Sequence, residues 1–505
     1  MNQLKVGATL SYVSIFLHVV IGLVYTPYIL RMLGQSEYGL YSLAASVVAY
    51  LTVLDLGFGN AIIRYTAKFR ALQKQREQEE MFGMFLILYI CIGLVAMAIG
   101  AVLILNVEHL FNQHMTPEEV DRTRIMLWLL TFNLAFTFPM SIWGSIMAAY
   151  ERFIFQRTVS VLRTLANPLV MVVLLAVGYK AVAMVVVTTL FNVATLLINW
   201  WYCKHYLHIK LRFGRFKWGF LKEVSIYSFW IFLNVIMDRI YWSTGQFVLG
   251  MVRGTVAVAV YALAVHLHSM YMMFSTAIST VFLPKITSLV TKGQSEKTVS
   301  DIFIKTGRIQ YVMMAFILSA FIVFGRSFII IWAGRNYEEA YIICLLFFIP
   351  LTVPLIQNLG ITILQARNQM KFRSIVYIII ALASFVISIP LAIFYSGIGC
   401  AIATASALVA GQIIVMNIYY YRKQAIDIPR FWREIGRMSI VPFIFVVASF
   451  VVALSFNIEI SSYHSLFLYA TLYSVCYIPI FWTTSLNTYE RELIIKPFNR
   501  LLHRR

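Results

Sequence analysis

From its first residues the chain alternates long apolar runs with short polar connections. A bilayer core about 30 Å thick asks a helix rising 1.5 Å per residue for about 20 such residues. The runs predict helices near 10–33, 39–61, 82–105, 125–150, 158–177, 181–201, 225–250, 255–283, 309–331, 340–363, 374–394, 399–420, 438–456 and 465–485. Connections as short as Gly178–Lys180 and Ser396–Ile398 leave room only for antiparallel hairpins. In lipid each backbone polar group must be satisfied within the segment, which a helix does and a lone strand does not. The expected fold class is therefore all-α integral membrane, with about fourteen transmembrane helices. The first run, Val6–Leu33, is too long for a signal-peptide core and reads as a retained first helix.

Composition agrees. Of 505 residues 61% are hydrophobic and 12% charged, against roughly 45–50% and about 25% in soluble domains. The formal charge of +20 would suggest nucleic acid in a soluble protein, but here its distribution is topological. Alternate connections and the two termini hold 32 of the 41 Lys and Arg, and the opposite set holds seven. That bias places both termini in the cytoplasm, with the acidic segment Asn106–Arg124 outside. The five cysteines are scattered and suggest neither a disulfide framework nor zinc. No Gly-rich phosphate loop with Lys and Ser or Thr is present, so neither ATP hydrolysis nor a cofactor is expected.

A displacement of about 216 residues sets Leu33-Gly34 on Leu249-Gly250 and Arg157 on Arg373. With a small gap, Tyr41-Ser42-Leu43-Ala44 meets Tyr261-Ala262-Leu263-Ala264. Six helices separate the matching points, and an even number relates two halves of the same orientation by an axis along the membrane normal. The expected organisation is a six-helix lobe over 1–210, a second over 211–424, and two further helices with a basic tail over 425–505. Two parallel lobes around a central cavity are a transporter arrangement.

Around the second predicted helix the sequence reads Asp55-Leu56-Gly57-Phe58-Gly59-Asn60-Ala61-Ile62-Ile63-Arg64-Tyr65, after Leu33-Gly34-Gln35-Ser36-Glu37-Tyr38-Gly39-Leu40-Tyr41. This resembles the polysaccharide biosynthesis family, the O-antigen and capsular repeat-unit flippases of the multidrug/oligosaccharidyl-lipid/polysaccharide exporter superfamily. Weaker echoes are Asp238-Arg239 ahead of Leu249-Gly250, and Phe282-Leu283-Pro284-Lys285. The resemblance implies a carrier that flips an undecaprenyl-pyrophosphate-linked oligosaccharide to the outer leaflet by alternating access. Its partners would be that lipid-linked oligosaccharide, membrane lipids, a monovalent cation or proton, and polysaccharide polymerase machinery. A peptidoglycan-precursor flippase or a multidrug or cation antiporter of the same superfamily is the alternative. A membrane glycosyltransferase or polymerase is more remote, because the five Asp form no Asp-x-Asp pair and no outer loop exceeds about 20 residues.

A charge at membrane depth costs about 3 kcal/mol or more unless paired or wet, so the few here are candidates. Asp238 and Arg239 lie near mid-bilayer in the seventh helix, with Asn234, Tyr241, Trp242 and Gly245 at helical spacing from Asp238. The next helix brings His266 and His268 to similar depth. In the functional reading Arg239, His266, His268, Asn234 and Trp242 bind pyrophosphate and sugar, while Asp238 positions Arg239 or takes a coupling cation. In the structural reading Asp238 and Arg239 lock two helices together. The histidines are two apart and diverge by about 200°, so no metal site is expected. Asp55, with Gly57 and Gly59 weakening its helix, is a gate or ion site, or a residue reaching headgroup water. Arg163 reads as a snorkelling residue. The basic segment Lys204–Lys222 is a headgroup-binding surface or an ordinary cytoplasmic loop.

Overall fold

The computed structural model describes residues 3–111, 115–214, 218–291, 295–367, 369–492 and 495, without side chains at 3–12, 223–228, 230, 231, 234, 235 and 277–291. Every regular element among the described residues is a helix: α1 (Gln3–Leu51), α2 (Phe58–Ala71), α3 (Gln75–Leu105), α4 (Val107–Phe111), α5 (Pro117–Ala149), α6 (Phe153–Ala176), α7 (Ala181–His205) and α8 (Trp218–Val252). There follow α9 (Thr255–Thr291), α10 (Glu296–Trp332), α11 (Ala340–Ile356), α12 (Leu359–Ala366), α13 (Met370–Leu408), α14 (Met416–Gln424), α15 (Ile428–Ser455) and α16 (Tyr463–Thr484). Among the described residues ten helical stretches are long and apolar enough to cross a membrane, or eleven with the bent pair α11–α12 as one span.

Two of those stretches, Val13–Ala71 and Met370–Gln424, run to 59 and 55 residues, far beyond one bilayer core. Each is broken where the sequence places a connection. Gly34 takes φ 75° and ψ 174° inside α1, and Ser396 takes φ 51° inside α13. One non-helical residue suffices where a loop of several was expected. Elsewhere the helices outrun their apolar windows. α3 begins at Gln75 rather than 82 and α5 at Pro117 rather than 125, because hydropathy registers only the part in lipid. Caps carry the ends into water: the Thr116 side chain accepts from Glu119 N, and the Glu119 carboxylate accepts from Thr116 N at 2.9 Å.

The chain forms two compact units. The first holds residues 1–262 and 371–404, the second 263–370 and 405–505. In the first unit α1 packs on α5, α6, α7 and α8, and α3 and α7 on α5. Its densest core joins α2, α3 and α5 through Phe58, Tyr65, Phe82, Phe85, Tyr89, Trp143 and Ile146. At the sparsely charged end, Glu37 is 6% exposed and receives the Arg122 guanidinium and the Ala181 backbone N–H, with Lys180 at 4.0 Å. Glu119 binds both Ser36 and Thr255. The acidic segment expected outside thus ties α1, α5, α7 and the α8–α9 turn together.

In the second unit α10 packs on α11, α15 and α16. The rings of Tyr473, Tyr477 and Phe481 stack at 5.6 and 5.3 Å along α16, beside Phe316 and Phe445. Arg308, at the basic end of α10, donates from Nε to Glu490 Oε1 at 2.6 Å and from Nη2 to Oε2 at 2.9 Å. It also reaches Glu434 at 2.7 Å and the Ser485 carbonyl at 3.1 Å. Glu490 is 3% exposed, so removing the cation strands a buried carboxylate. Arg308→Ala is expected to cost about 3–5 kcal/mol and to depress the melting temperature in detergent, with Arg308→Lys recovering part of the loss. An unchanged thermal unfolding curve for Arg308→Ala would show that the triad does not hold the C-terminal segment.

Candidate functional site

Asp55 stands where the helix breaks. After α1 ends at Leu51 a 3₁₀ turn covers Thr52–Asp55, then Leu56 (φ 53°) and Gly57 (φ 68°) are left-handed before α2 resumes at Phe58. Of the two glycines expected to weaken this helix, Gly57 makes the break, and Gly59 lies inside α2. The bend opens a cavity of about 300 Å³ within the first unit. Thr52, Asp55, Gly57 and Asn60 line it from one side, Thr137 and Ser141 of α5 from another, and Phe232, Ile236 and Arg239 of α8 from a third. Tyr89, fully buried, stands beside the Asp55 carboxyl.

Arg239 and Asp55 therefore share one cavity although 184 positions apart in sequence. Asp238 does not join them. Consecutive residues diverge by 100° on a helix, so Phe232, Ile236 and Arg239 form one stripe and Asp238, Tyr241, Trp242 and Gly245 another. The second stripe is packed against α13. Asp238 has Arg373 as its foremost charged neighbour, ahead of Arg239, and the Trp242 indole is directed at it. Arg373 is 7% exposed, donates to the Tyr377 hydroxyl at 3.0 Å and lies over the Tyr377 ring at 4.4 Å. The Tyr241 hydroxyl donates to the Thr404 carbonyl, and Cys400 Sγ to the Gly245 carbonyl at 3.9 Å. Asp238 thus has two charged neighbours, Arg373 as well as the Arg239 foreseen for it, and Arg239 is exposed in the cavity with no hydrogen-bond partner among the described residues. The Asn234 side chain lies outside the described residues.

His266 and His268 belong to the second unit and are not among the lining residues. His268 is 2% exposed with its ring 6.1 Å from that of Phe347. A set that sequence reasoning passed over reaches the cavity instead. Arg163 of α6 donates to Asn192 Oδ1 at 3.0 Å, and Asn192 Nδ2 donates at 2.8 Å to both Asn133 Oδ1 and Thr137 Oγ1. Arg163 is thus bonded inward rather than snorkelling. The signal available was the pair Asn133 and Asn192, amides inside otherwise apolar runs. One carboxylate, one guanidinium, an amide and three hydroxyls make a cavity that can hold a hydroxylated or charged group. Among the described residues, no three His, Cys, Asp or Glu converge as metal ligands would.

Residues 4–290 match the family described as polysaccharide biosynthesis protein. The chain belongs to this family. It is 21% identical over 491 residues, 94% of each chain, to EpsK of Bacillus subtilis (strain 168), a membrane protein without an assigned activity. It is 20% identical over 317 residues to a Shigella flexneri protein named as an O-antigen transporter, covering 62% of this chain and 72% of that one. Its fold matches a lipid II flippase, MurJ, in an inward closed conformation, with TM-score 0.71 and 17% identity over 97% of this chain and 99% of the other. It also matches an inward-facing multidrug resistance transporter, with TM-score 0.61 and 15% identity over 81% and 99%. Those with a named activity are transporters or flippases rather than enzymes, and this family member is a multi-pass membrane transporter.

The bend at Gly57 gives a local test. A Cβ there would meet Phe232 Cβ at 3.4 Å and force a left-handed conformation on a residue that disfavours it, at about 1–2 kcal/mol. At Gly59 a Cβ meets only the movable Ser145 hydroxyl, at 3.1 Å. Gly57→Ala is therefore expected to lower the melting temperature and Gly59→Ala to leave it nearly unchanged. The reverse order would mean that the break is not held as described.

Proposed function

We propose that the chain carries an undecaprenyl-pyrophosphate-linked oligosaccharide repeat unit, of the O-antigen or capsular kind, from the cytoplasmic to the outer leaflet of a bacterial inner membrane. The observation that carries this reading is the meeting of Arg239 with Asp55, Asn60 and hydroxyl groups in one cavity of a family member whose helices are otherwise apolar. A guanidinium suits a pyrophosphate oxygen, and the surrounding amide and hydroxyls suit a sugar. Asp55 would take a coupling cation or proton, or hold Arg239 between cargo molecules. The basic bias places both termini in the cytoplasm. The passes are taken as fourteen: the ten stretches, the bent pair α11–α12, one more arm at each of Gly34 and Ser396, and α8. Arg239→Ala is expected to abolish surface polysaccharide while protein level and melting temperature stay near wild type, and Arg239→Lys to restore part of it. Export that survives Arg239→Ala would remove this residue from cargo handling.

The six-helix lobes 1–210 and 211–424 are proposed to alternate about that cavity. Parts of both pack into the first unit, so its contacts at the sparsely charged end become contacts between the proposed lobes. Gly39 lies against the Thr255 carbonyl, Leu43 against Gly250, and the Tyr50 hydroxyl is 3.3 Å from Thr244 Oγ1. Glu119 joins Ser36 to Thr255 there. These contacts close the outer side and would part for release. In a background lacking the exposed Cys91 and Cys476, the pair Ser36→Cys and Thr255→Cys should crosslink with a short thiol reagent. The crosslink should block export and leave lipid-linked oligosaccharide in the inner leaflet, while each single variant stays active. A crosslink that forms while export continues would mean that this end does not open.

A further inference from the structure

A second cavity, of about 530 Å³, lies in the first unit where α2, α5 and α7 end and α3 begins. Arg70, Gln73, His208 and Lys210 stand at its exposed rim, and Phe69, Phe82, Leu207 and Ile209 supply apolar walls. Arg70 is fixed in place, because Nη1 donates to the Ala149 carbonyl at 3.1 Å and the guanidinium lies 4.1 Å from the Tyr150 ring centroid. Gln78, buried beneath it, donates to the Tyr150 hydroxyl at 2.9 Å. Glu79 is the one acidic residue in the lining, and both of its oxygens are engaged. Gln75 donates to Oε1 at 3.1 Å and Arg212 is paired with Oε2 at 2.7 Å. The carboxylate is thus neutralised from outside the cavity, and Arg70 and Lys210 leave an excess of positive charge within it. Gln73 and His208 hold φ of 54° and 49°, a conformation uncommon for residues other than glycine.

We propose that this cavity binds the phosphate of an anionic lipid headgroup, between the fixed Arg70 and the exposed Lys210, with His208 and the glutamine amides completing the donor set. The lipid follows from the placement. Four helix ends meet here, and aromatic rings cluster around them at the level expected of a membrane interface: Tyr65 with Phe220 at 4.8 Å, Phe155 with Tyr202 at 3.9 Å, and Lys204 over Trp200 at 5.3 Å. An apolar wall beside the cations suits the glycerol and first chain carbons of a lipid and offers nothing to a free anion. The site lies apart from the Arg239 cavity and does not depend on what that cavity carries.

The test uses the full-length protein purified in a neutral detergent, titrated with dioctanoyl phosphatidylglycerol, dioctanoyl phosphatidylcholine and inorganic pyrophosphate, and read by native mass spectrometry and thermal shift. Phosphatidylglycerol is expected to bind and stabilise, with phosphatidylcholine at least tenfold weaker. Lys210→Gln should weaken phosphatidylglycerol about fivefold, the loss of one cation beside an anionic group. The Arg70→Gln, Lys210→Gln double variant should weaken it about 25-fold. Arg70→Lys should retain most binding, which separates charge from the packing that Arg70 provides on Tyr150. Lys210 makes no hydrogen bond with a described residue, so its variant reports on binding and not on folding. Pyrophosphate that binds while phosphatidylglycerol does not would overturn the lipid assignment. Equal binding of phosphatidylcholine, or an affinity for phosphatidylglycerol indifferent to Lys210→Gln, would overturn the site itself.

Discussion

Inside a bilayer no water completes an unfinished hydrogen bond, and this one constraint bears on how several charged side chains among the described residues are partnered. Arg308 is enclosed by Glu490, Glu434 and a carbonyl. Asp238 lies opposite Arg373, and Arg163 is bonded through Asn192 to Asn133 and Thr137. Each such group joins helices that apolar packing alone would hold with little directional preference, since lipid tails contact leucine as well as another leucine does. Arg239 and Asp55 are the contrast. Tyr89 stands beside Asp55, but both charges line a cavity, and a cavity with polar walls is the other way a charge persists at that depth.

The same constraint shows how much could be read before folding. The all-helical class, the breaks at Gly34 and near Ser396, and the bend beside Asp55 were legible, because apolar length and glycine placement are local properties of the chain. Helix ends were read too short. Gln75–Met81 and Pro117–Arg124 are polar helical turns held by caps and ion pairs, which a hydropathy window does not register. Only some members of the candidate site were legible, and their grouping was not. Arg239, Asp55 and Gly57 were singled out for their cost or their flexibility, but only the fold could bring α8 to the bend between α1 and α2.

Asp238 and Arg239 mark the limit of reading by adjacency. Two neighbouring charges in a helix look like a pair, yet 100° of rotation sends them to different surfaces. The stripe Phe232, Ile236, Arg239 could have been drawn from spacing alone. Its partner surface could not, because Arg373 is 135 residues away from Asp238 and at the start of a different helix. Asn133 and Asn192 were missed for another reason. Attention to formal charge overlooks amides, although an amide in hydrocarbon must also be satisfied.

The charges around Asp238 also bear on how Arg239 would act in the proposed role. A guanidinium with a permanent carboxylate partner binds a second anion weakly, since the first has already offset its charge. Were Asp238 turned toward Arg239, the cavity would present a neutral pair to an incoming phosphate. Asp238 has Arg373 as well as Arg239 for a charged neighbour, and it is not among the residues lining the cavity that Arg239 shares with Asp55. Shared between two guanidinium groups, the Asp238 carboxylate would leave Arg239 part of its attraction for an anion in the proposed role, while keeping the neighbourhood close enough to neutral for the helix to remain in the membrane. A transporter that must release its cargo needs that intermediate condition, because an isolated buried cation would hold the anion too tightly and a fully paired one would not take it.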